Sequence, residues 1–377
     1  MIYFDNAATS FPKPERVIER VDFALRELGG NPGRSAHRLS MIADREVFAC
    51  RVKAAELFGA DLSRVIFVPN TTYALNMAIR TAYRGGGILI SDLEHNSVRR
   101  PSLAVTKDVR IFDSHIELSG EERTRAIISS VKSKLRGASL VVCTAASNIC
   151  GASMPIRELG KLCRESGVTF IVDGAQAAGI RNLSVRGDNI GILCLPGHKG
   201  LYGPGGSGMM ILSDEITPRP FIFGGSGVDS LDAGMPSEPP ERYEGGTLPV
   251  AVISGLLAGL EFVSERGTDS IRAHEVSLSE RLIGRLSDIG RVKLFLPECV
   301  DEPTMVLFRI KGSDPEETAA SLDERGICVR AGYHCAPLAH QRLSTGQGGA
   351  VRVSFSVFNT AEEVDALYEV IKELAVR

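Results

Sequence analysis

Over roughly the first 215 residues, short unbroken apolar runs alternate with longer segments in which apolar positions return every three or four residues. The runs are Val65–Val68, Ile88–Ile90, Arg110–Phe112, Leu140–Cys143, Thr169–Val172 and Met209–Leu212, with Gly191–Cys194 as a seventh. None alternates strictly with polar residues, and a strand covered on both faces needs no polar side. The pattern therefore predicts a mainly parallel sheet with helices on both faces. Helical spacing links Val17, Val21, Ala24 and Leu28 after Pro14, a residue suited to a first turn, and Gly29-Gly30 closes the segment. Asp44 to Phe58 repeats the pattern and ends at Gly59.

From Gly224 to Gly246 glycine and proline crowd out any regular period, which predicts a long loop or a junction. Helical patterns follow at Val250–Glu265 and His274–Ile289. A strand at Met305–Phe308, a helix near Pro315–Glu324, strands around Cys328 and Arg352, and a last helix at Thr360–Leu374 complete the chain. This order predicts an α/β protein with a large unit over 15–250 and a smaller α+β unit over 251–377 joined by residues 1–14.

The length of 377 residues supports a substantial core, and a net charge of −3 offers no field to gather nucleic acid or anionic lipid. The longest apolar stretch, Val250 to Val263, is broken by Ser254, Gly255, Gly259 and Glu261 and is too short to cross a bilayer. The eight cysteines contain no Cys-x-x-Cys pair, so neither a metal site nor a disulfide framework is expected. Reduced thiols, and an N-terminus with Asp5 where a signal peptide would be basic, suggest a cytoplasmic protein.

In open parallel sheets ligands bind beyond the carboxyl ends of the strands, so the polar residues after each apolar run are the candidates. Val68 leads to Asn70-Thr71-Thr72 at a helix start, where hydroxyls and free N–H groups suit a phosphate. Read alone, the same threonines are an ordinary helix cap. Ile90 leads to His95 and Cys143 to Ser147-Asn148. Val172 leads to Asp173, an acid in an apolar setting that needs a cationic partner. In Gly197-His198-Lys199-Gly200 the lysine lacks the following Ser or Thr of a nucleotide loop, but suits Schiff-base chemistry with an aldehyde cofactor. An acid for a pyridine nitrogen, a lysine 26 residues later and a Thr-Thr helix start together describe a pyridoxal phosphate (pyridoxal 5'-phosphate, PLP) site.

These residues resemble the class V branch of the PLP-dependent transferase fold (type I), specifically the cysteine desulfurase and selenocysteine lyase group. The markers run in order: Tyr3 to Thr9, Asn70-Thr71-Thr72, Glu94-His95-Asn96, Ser147-Asn148, Asp173 to Gln176, Gly197-His198-Lys199, Gly245-Gly246-Thr247, Arg330 to Ala336, and Arg352 before Asn359-Thr360. The resemblance implies that Lys199 bonds to the cofactor, Asp173 holds its ring nitrogen protonated and His95 stacks on the ring. Asn148 and Gln176 would serve its phenolate oxygen, and Thr71, Thr72 and His198 its phosphate. Thr247 would reach the same phosphate from a second subunit, which implies a homodimer. Arg352, with Asn148 and Ala7, would bind the substrate, its guanidinium gripping a carboxylate. Cys335 would take sulfur from L-cysteine as a persulfide and pass it to an acceptor protein or thiol, with His334 and Arg330 nearby expected to favour its thiolate. The short Arg330–Cys335 connection is similar to the compact-loop group. Pro196, and Gly200 inserted after Lys199, depart from the commoner members. Selenocysteine lysis (L-selenocysteine to L-alanine), transamination and β elimination remain open on the same residues. A regulator built on this fold would carry a DNA-binding segment, for which neither end leaves room.

Overall fold

The computed structural model describes residues 1–33 and 35–376. The first elements are β1 (Ile2–Tyr3), α1 (Glu15–Glu27), α2 (Arg38–Phe58), β2 (Val65–Val68), α3 (Thr71–Ala82), β3 (Gly87–Ser91), α4 (Asn96–Val105) and β4 (Val109–Phe112). Next come α5 (Gly120–Lys134), β5 (Ala138–Thr144), α6 (Ile156–Glu165), β6 (Thr169–Asp173), β7 (Ile192–Pro196), β8 (Gly208–Leu212) and α7 (Val250–Arg266). The remainder is α8 (Thr268–Ser287), β9 (Val292–Leu294), β10 (Met305–Ile310), α9 (Pro315–Asp323), β11 (Ile327–Cys328), β12 (Arg330–Gly332), α10 (Pro337–Arg342), β13 (Ala350–Ser354) and α11 (Ala361–Val376).

All seven expected runs form one sheet, in the order β2-β8-β7-β6-β5-β3-β4. Its strands are parallel except β8, which runs antiparallel to both neighbours. Every residue of β2, β3, β7 and β8 is buried, which is why these strands read as continuous apolar runs. Helices cover both faces, with Phe67, Leu89, Val141 and Leu193 in the core on one side and Ile66, Ile88, Leu140 and Ile192 in the core on the other.

Two helices begin six residues before the expected start, at Arg38 and Thr268. The first turn of α8 is polar, and in α2 the apolar Leu39 and Met41 are exposed and off the buried stripe, so apolar spacing becomes visible only later; the His37 ring, accepting the Ser40 N–H at 3.2 Å, caps α2. Residues 224–246 form neither helix nor strand. The end of this segment is fixed by a buried pair, Arg51 with Glu244 at 2.8 Å, and Glu244 also accepts the Phe67 N–H at 2.7 Å.

A second sheet, antiparallel in the order β12-β13-β10-β9, packs with α8, α9 and α11 around Phe4, Leu278, Leu282, Phe308, Val353 and Leu367. Helix α7 was expected at the head of this smaller unit, yet its Ile253, Leu256, Leu257 and Leu260 belong to the core of the large sheet. Its apolar residues spread around most of the helix, so α1 and α2 can cover it on the large-sheet side. The first residues bind the end of the chain to its beginning: β1 pairs with β11, and the Ser354 N–H donates to the Phe4 carbonyl at 2.8 Å. Among the described residues no helix is long and apolar enough to cross a membrane.

Candidate functional site

The carboxyl ends of β2, β3, β5, β6 and β7 open into one recess of about 90 Å³. Asn70, Thr71, Thr72, His95, Asn148, Asp173, Gln176, His198 and Lys199 line it. The candidates from five separate strand ends thus meet in one place, as expected where helices start above a parallel sheet.

At the start of α3 the cap is Asn70, not a threonine: its side-chain oxygen accepts the Tyr73 N–H at 2.9 Å. This frees both threonine hydroxyls from capping. Thr71 Oγ1 is buried with no hydrogen-bond partner among the described residues. A buried orphan hydroxyl beside unpaired N–H groups at a helix N-terminus suits a phosphate ester.

Asp173 ends β6 almost wholly buried, 2% exposed, and among the described residues its side chain accepts only the Ala175 N–H, at 3.0 Å. Burial pushes its carboxyl up and the Lys199 ammonium pulls it down. Lys199 follows β7; burial lowers its amine to about 8, an effect that Asp173 opposes. Acid and amine therefore need a further polar group between them, and a protonated pyridine nitrogen fits the acid while an aldehyde fits the amine. Gly200 has a packing reason beside them: a Cβ there would stand 2.3 Å from the Ala178 carbonyl oxygen. At Gly179, with φ +86°, a Cβ would stand 1.9 Å from the Gly200 carbonyl oxygen.

His95 caps α4. Its Nδ1 accepts the Ser97 N–H at 3.0 Å and lies 2.8 Å from Ser97 Oγ. Burial, reinforced by Lys199, lowers its imidazole to about 4, so the ring is neutral near pH 7 with Nε2 left for the recess. His198 is likewise held at about 4, by burial and then by Lys199 and Lys13. The Gln176 amide donates to the Ala7 carbonyl at 2.9 Å, and the Asn148 amide donates to the His334 carbonyl at 2.9 Å.

Arg352 lies on β13, 1% exposed, with Nη2 on Asp5 at 2.6 Å and Nη1 on the Asn148 carbonyl at 2.8 Å; its Nε has no partner among the described residues. Asp5 therefore holds the guanidinium as a substrate carboxylate would. Thr247 is exposed and stands apart from the recess, beside Glu244 and Tyr243 in a separate groove.

Cys335 is the exposed cysteine among eight; five are buried and two intermediate. Its carbonyl accepts the Asn96 N–H at 2.7 Å, which sets the cysteine loop against the residue following His95. The expected help from His334 is absent. Its ring is buried against His340 and the Arg330 carbonyl, and burial holds it down to about 2, so it brings no positive charge to the thiol.

Two residues around the site take roles that the sequence did not assign them: Lys13, which carried no signal, and Glu94, which stood only as a neighbour of His95. Lys13 Nζ donates to Ser10 Oγ and the His198 carbonyl, both at 2.8 Å, tying the N-terminal segment to the lysine loop. Burial lowers this amine to about 8. Glu94 is fully buried, bonded to Ser91 and to the Thr144 N–H at 2.8 Å, and burial raises it to about 8. It joins the ends of β3 and β5 beneath His95.

A profile of the class-V aminotransferases matches residues 2–367. The chain belongs to the class-V aminotransferase family. Within it, a protein of Pyrococcus abyssi named probable cysteine desulfurase is 32% identical over 384 residues, spanning 99% of this chain and 94% of its own. The apo structure of a cysteine desulfurase from Thermococcus onnurineus NA1 superposes with a TM-score of 0.89 at 31% identity, over 100% of this chain and 94% of that one. The cysteine desulfurase CsdA of Escherichia coli has a TM-score of 0.85 at 24% identity, covering 99% of this chain and 94% of its own, and supports the fold alone. This class-V member is thus an enzyme of the PLP-dependent cysteine desulfurase type.

Proposed function

We propose that the protein converts L-cysteine to L-alanine with PLP, leaving the sulfur on Cys335 as a persulfide for an acceptor protein or thiol. The observation that carries this reading is the meeting of Lys199, Asp173, His95 and the Thr71 hydroxyl, unpartnered among the described residues, in one recess, with the carbonyl of exposed Cys335 bonded to the backbone of Asn96, the residue after His95.

Thr71, Thr72 and His198 would hold the phosphate, Asp173 the ring nitrogen, and Asn148 and Gln176 the phenolate oxygen. When bound, PLP supplies an electron sink for negative charge at the substrate's α carbon. Lys199, with an amine near 8, takes up the α proton, and neutral His95 is placed to hold or pass a proton beside it. Arg352 binds the substrate carboxylate once that carboxylate displaces Asp5, which occupies the same guanidinium edge. The Cys335 thiolate then forms an S–S bond to the substrate sulfur as the carbon–sulfur bond breaks. The carbon keeps the electron pair and gains a proton, giving alanine. Thr247 would complete the phosphate site of a partner subunit in a homodimer.

The test is product analysis of the PLP-loaded protein with L-cysteine and L-selenocysteine side by side. Expected are alanine and a one-sulfur mass gain on Cys335 from L-cysteine, both lost in Cys335→Ser. A parent far faster on L-selenocysteine, with a mutant that loses only the cysteine reaction, would favour selenocysteine lysis. A keto acid without persulfide would favour transamination.

A further inference from the structure

The loop that carries Cys335 holds a conformation its own residues oppose. Gly332 reaches φ +97° at no steric cost, but His334 and Cys335 follow with φ of 49° and 56°. This left-handed region disfavours side chains with a Cβ, so two such residues in close succession persist only where the surroundings hold them. The backbone on either side is pinned: the Asn148 amide donates to the His334 carbonyl and the Asn96 N–H to the Cys335 carbonyl.

The ring of His334 is held by a buried chain of hydrogen bonds whose direction can be derived. His334 Nε2 lies 3.2 Å from the Arg330 carbonyl, which only accepts, so Nε2 carries the proton. In a neutral ring Nδ1 must then accept. His340 Nε2, 3.0 Å away, is therefore its donor. This leaves His340 Nδ1 to accept from the Thr345 hydroxyl at 2.9 Å. The ring planes differ by only 9°, which keeps N–H and lone pair in a common plane. All three side chains are at most 3% exposed, and burial keeps both imidazoles neutral. His340 sits on α10, whose Arg342 grips Asp92 and Asp113, each at 3.2 Å, so the far end of the chain is fixed to the large-sheet side of the molecule.

We propose that His340 and Thr345 are positioning residues for the nucleophile: the one-way chain from Thr345 through His340 and His334 to the Arg330 carbonyl holds the left-handed turn that directs Cys335. The inference rests on the reading of Cys335 as the sulfur acceptor. A glutamine at 340 can donate to His334 and accept from Thr345, whereas a methionine has no donor for His334 and only a weakly accepting sulfur for Thr345.

The experiment compares PLP-loaded wild type, His340→Met, His340→Gln and Thr345→Val in a single turnover of L-cysteine, following persulfide on Cys335 by mass. Alkylation of Cys335 by iodoacetamide and the downfield N–H resonance of ¹⁵N-histidine-labelled protein are read in parallel. Expected for His340→Met are persulfide formation slowed about tenfold or more, altered alkylation and loss of the resonance, with the spectral response of bound PLP to L-cysteine unchanged in amplitude. His340→Gln should recover most of the rate, and Thr345→Val, which removes only the terminal donor, should fall between. Wild-type rates in His340→Met, or a Gln variant as slow as Met at equal thermal stability, would overturn the proposal. If His340→Met does not fold, Thr345→Val with wild-type rates overturns it instead. If wild type itself forms no persulfide, the role assigned to Cys335 fails, and the alkylation rates alone then decide whether the chain positions that residue.

Discussion

Thr71→Val should move the stability of the cofactor-free protein and its affinity for PLP in opposite directions. Thr71 Oγ1 is buried, has no partner among the described residues and is not used as the helix cap, which Asn70 supplies. A buried polar group left unsatisfied costs about 1–3 kcal/mol, and valine fills nearly the same shape with a similar helix propensity. The cofactor-free variant should therefore gain about 1 kcal/mol, seen as a rise of roughly 1–3 °C in Tm or a matching shift in denaturant midpoint. A hydrogen bond to a charged phosphate contributes about 1.5–3 kcal/mol, so the same change should weaken PLP binding by about 10- to 100-fold. Chemical unfolding of the apoprotein gives the first quantity and absorbance titration with PLP the second. An apoprotein destabilised by 1 kcal/mol or more, or an unchanged Kd for PLP, would refute the assignment of this hydroxyl to the phosphate.

Three further outcomes are expected. Arg51→Met leaves Glu244 buried without its cation and should cost about 3–5 kcal/mol by denaturant unfolding, with proteolysis first appearing in the 224–246 segment that Glu244 anchors. The histidines His95, His198 and His340 are held near 4 and His334 near 2, all below the ordinary 6.5, chiefly by burial. Below pH 6.5 the unfolded chain takes up protons that the folded one refuses, so stability is full above about 6.5 and falls as pH drops toward 4; a Tm that stays flat between pH 7 and 5 would contradict this. Lys199, lowered to about 8, gains its free amine as pH rises, so covalent capture of PLP should speed up about tenfold per pH unit below 8 and level off above it; stopped-flow absorbance measures it.

The large sheet was legible because its central strands are buried on both faces and therefore spell apolar runs. The small sheet and the separate β1-β11 pair were only partly so: β1, β11 and β12 are two or three residues long, and their pairing joins positions more than 300 residues apart or an arginine to an arginine. The recess residues were found because each stands at a strand end. What surrounds them was hidden for a different reason. That Asp5 would occupy Arg352, that Lys13 would reach the His198 carbonyl, or that His334 would be buried rather than beside the thiol depends on side chains meeting across the fold. Spacing along the chain carries no information about such meetings. His340 and Thr345 were missed because a histidine within a short helix and a threonine in a turn have ordinary local explanations.

The clasp formed by residues 2–13 has a consequence for how the enzyme matures on the ribosome. Its partners are β11, Arg352, Ser354 and Asn359 on one side and the lysine loop on the other. Residues 2–7 thus wait for residues 327–359 to be made before they can settle. The large sheet can assemble while the chain is still growing, but the floor beneath Lys199 stays open until the carboxy-terminal strands emerge. Catalytic competence is thereby deferred until residues 327–359 are in place, and a product that stops before them leaves no finished pocket to react with free thiols in the cell.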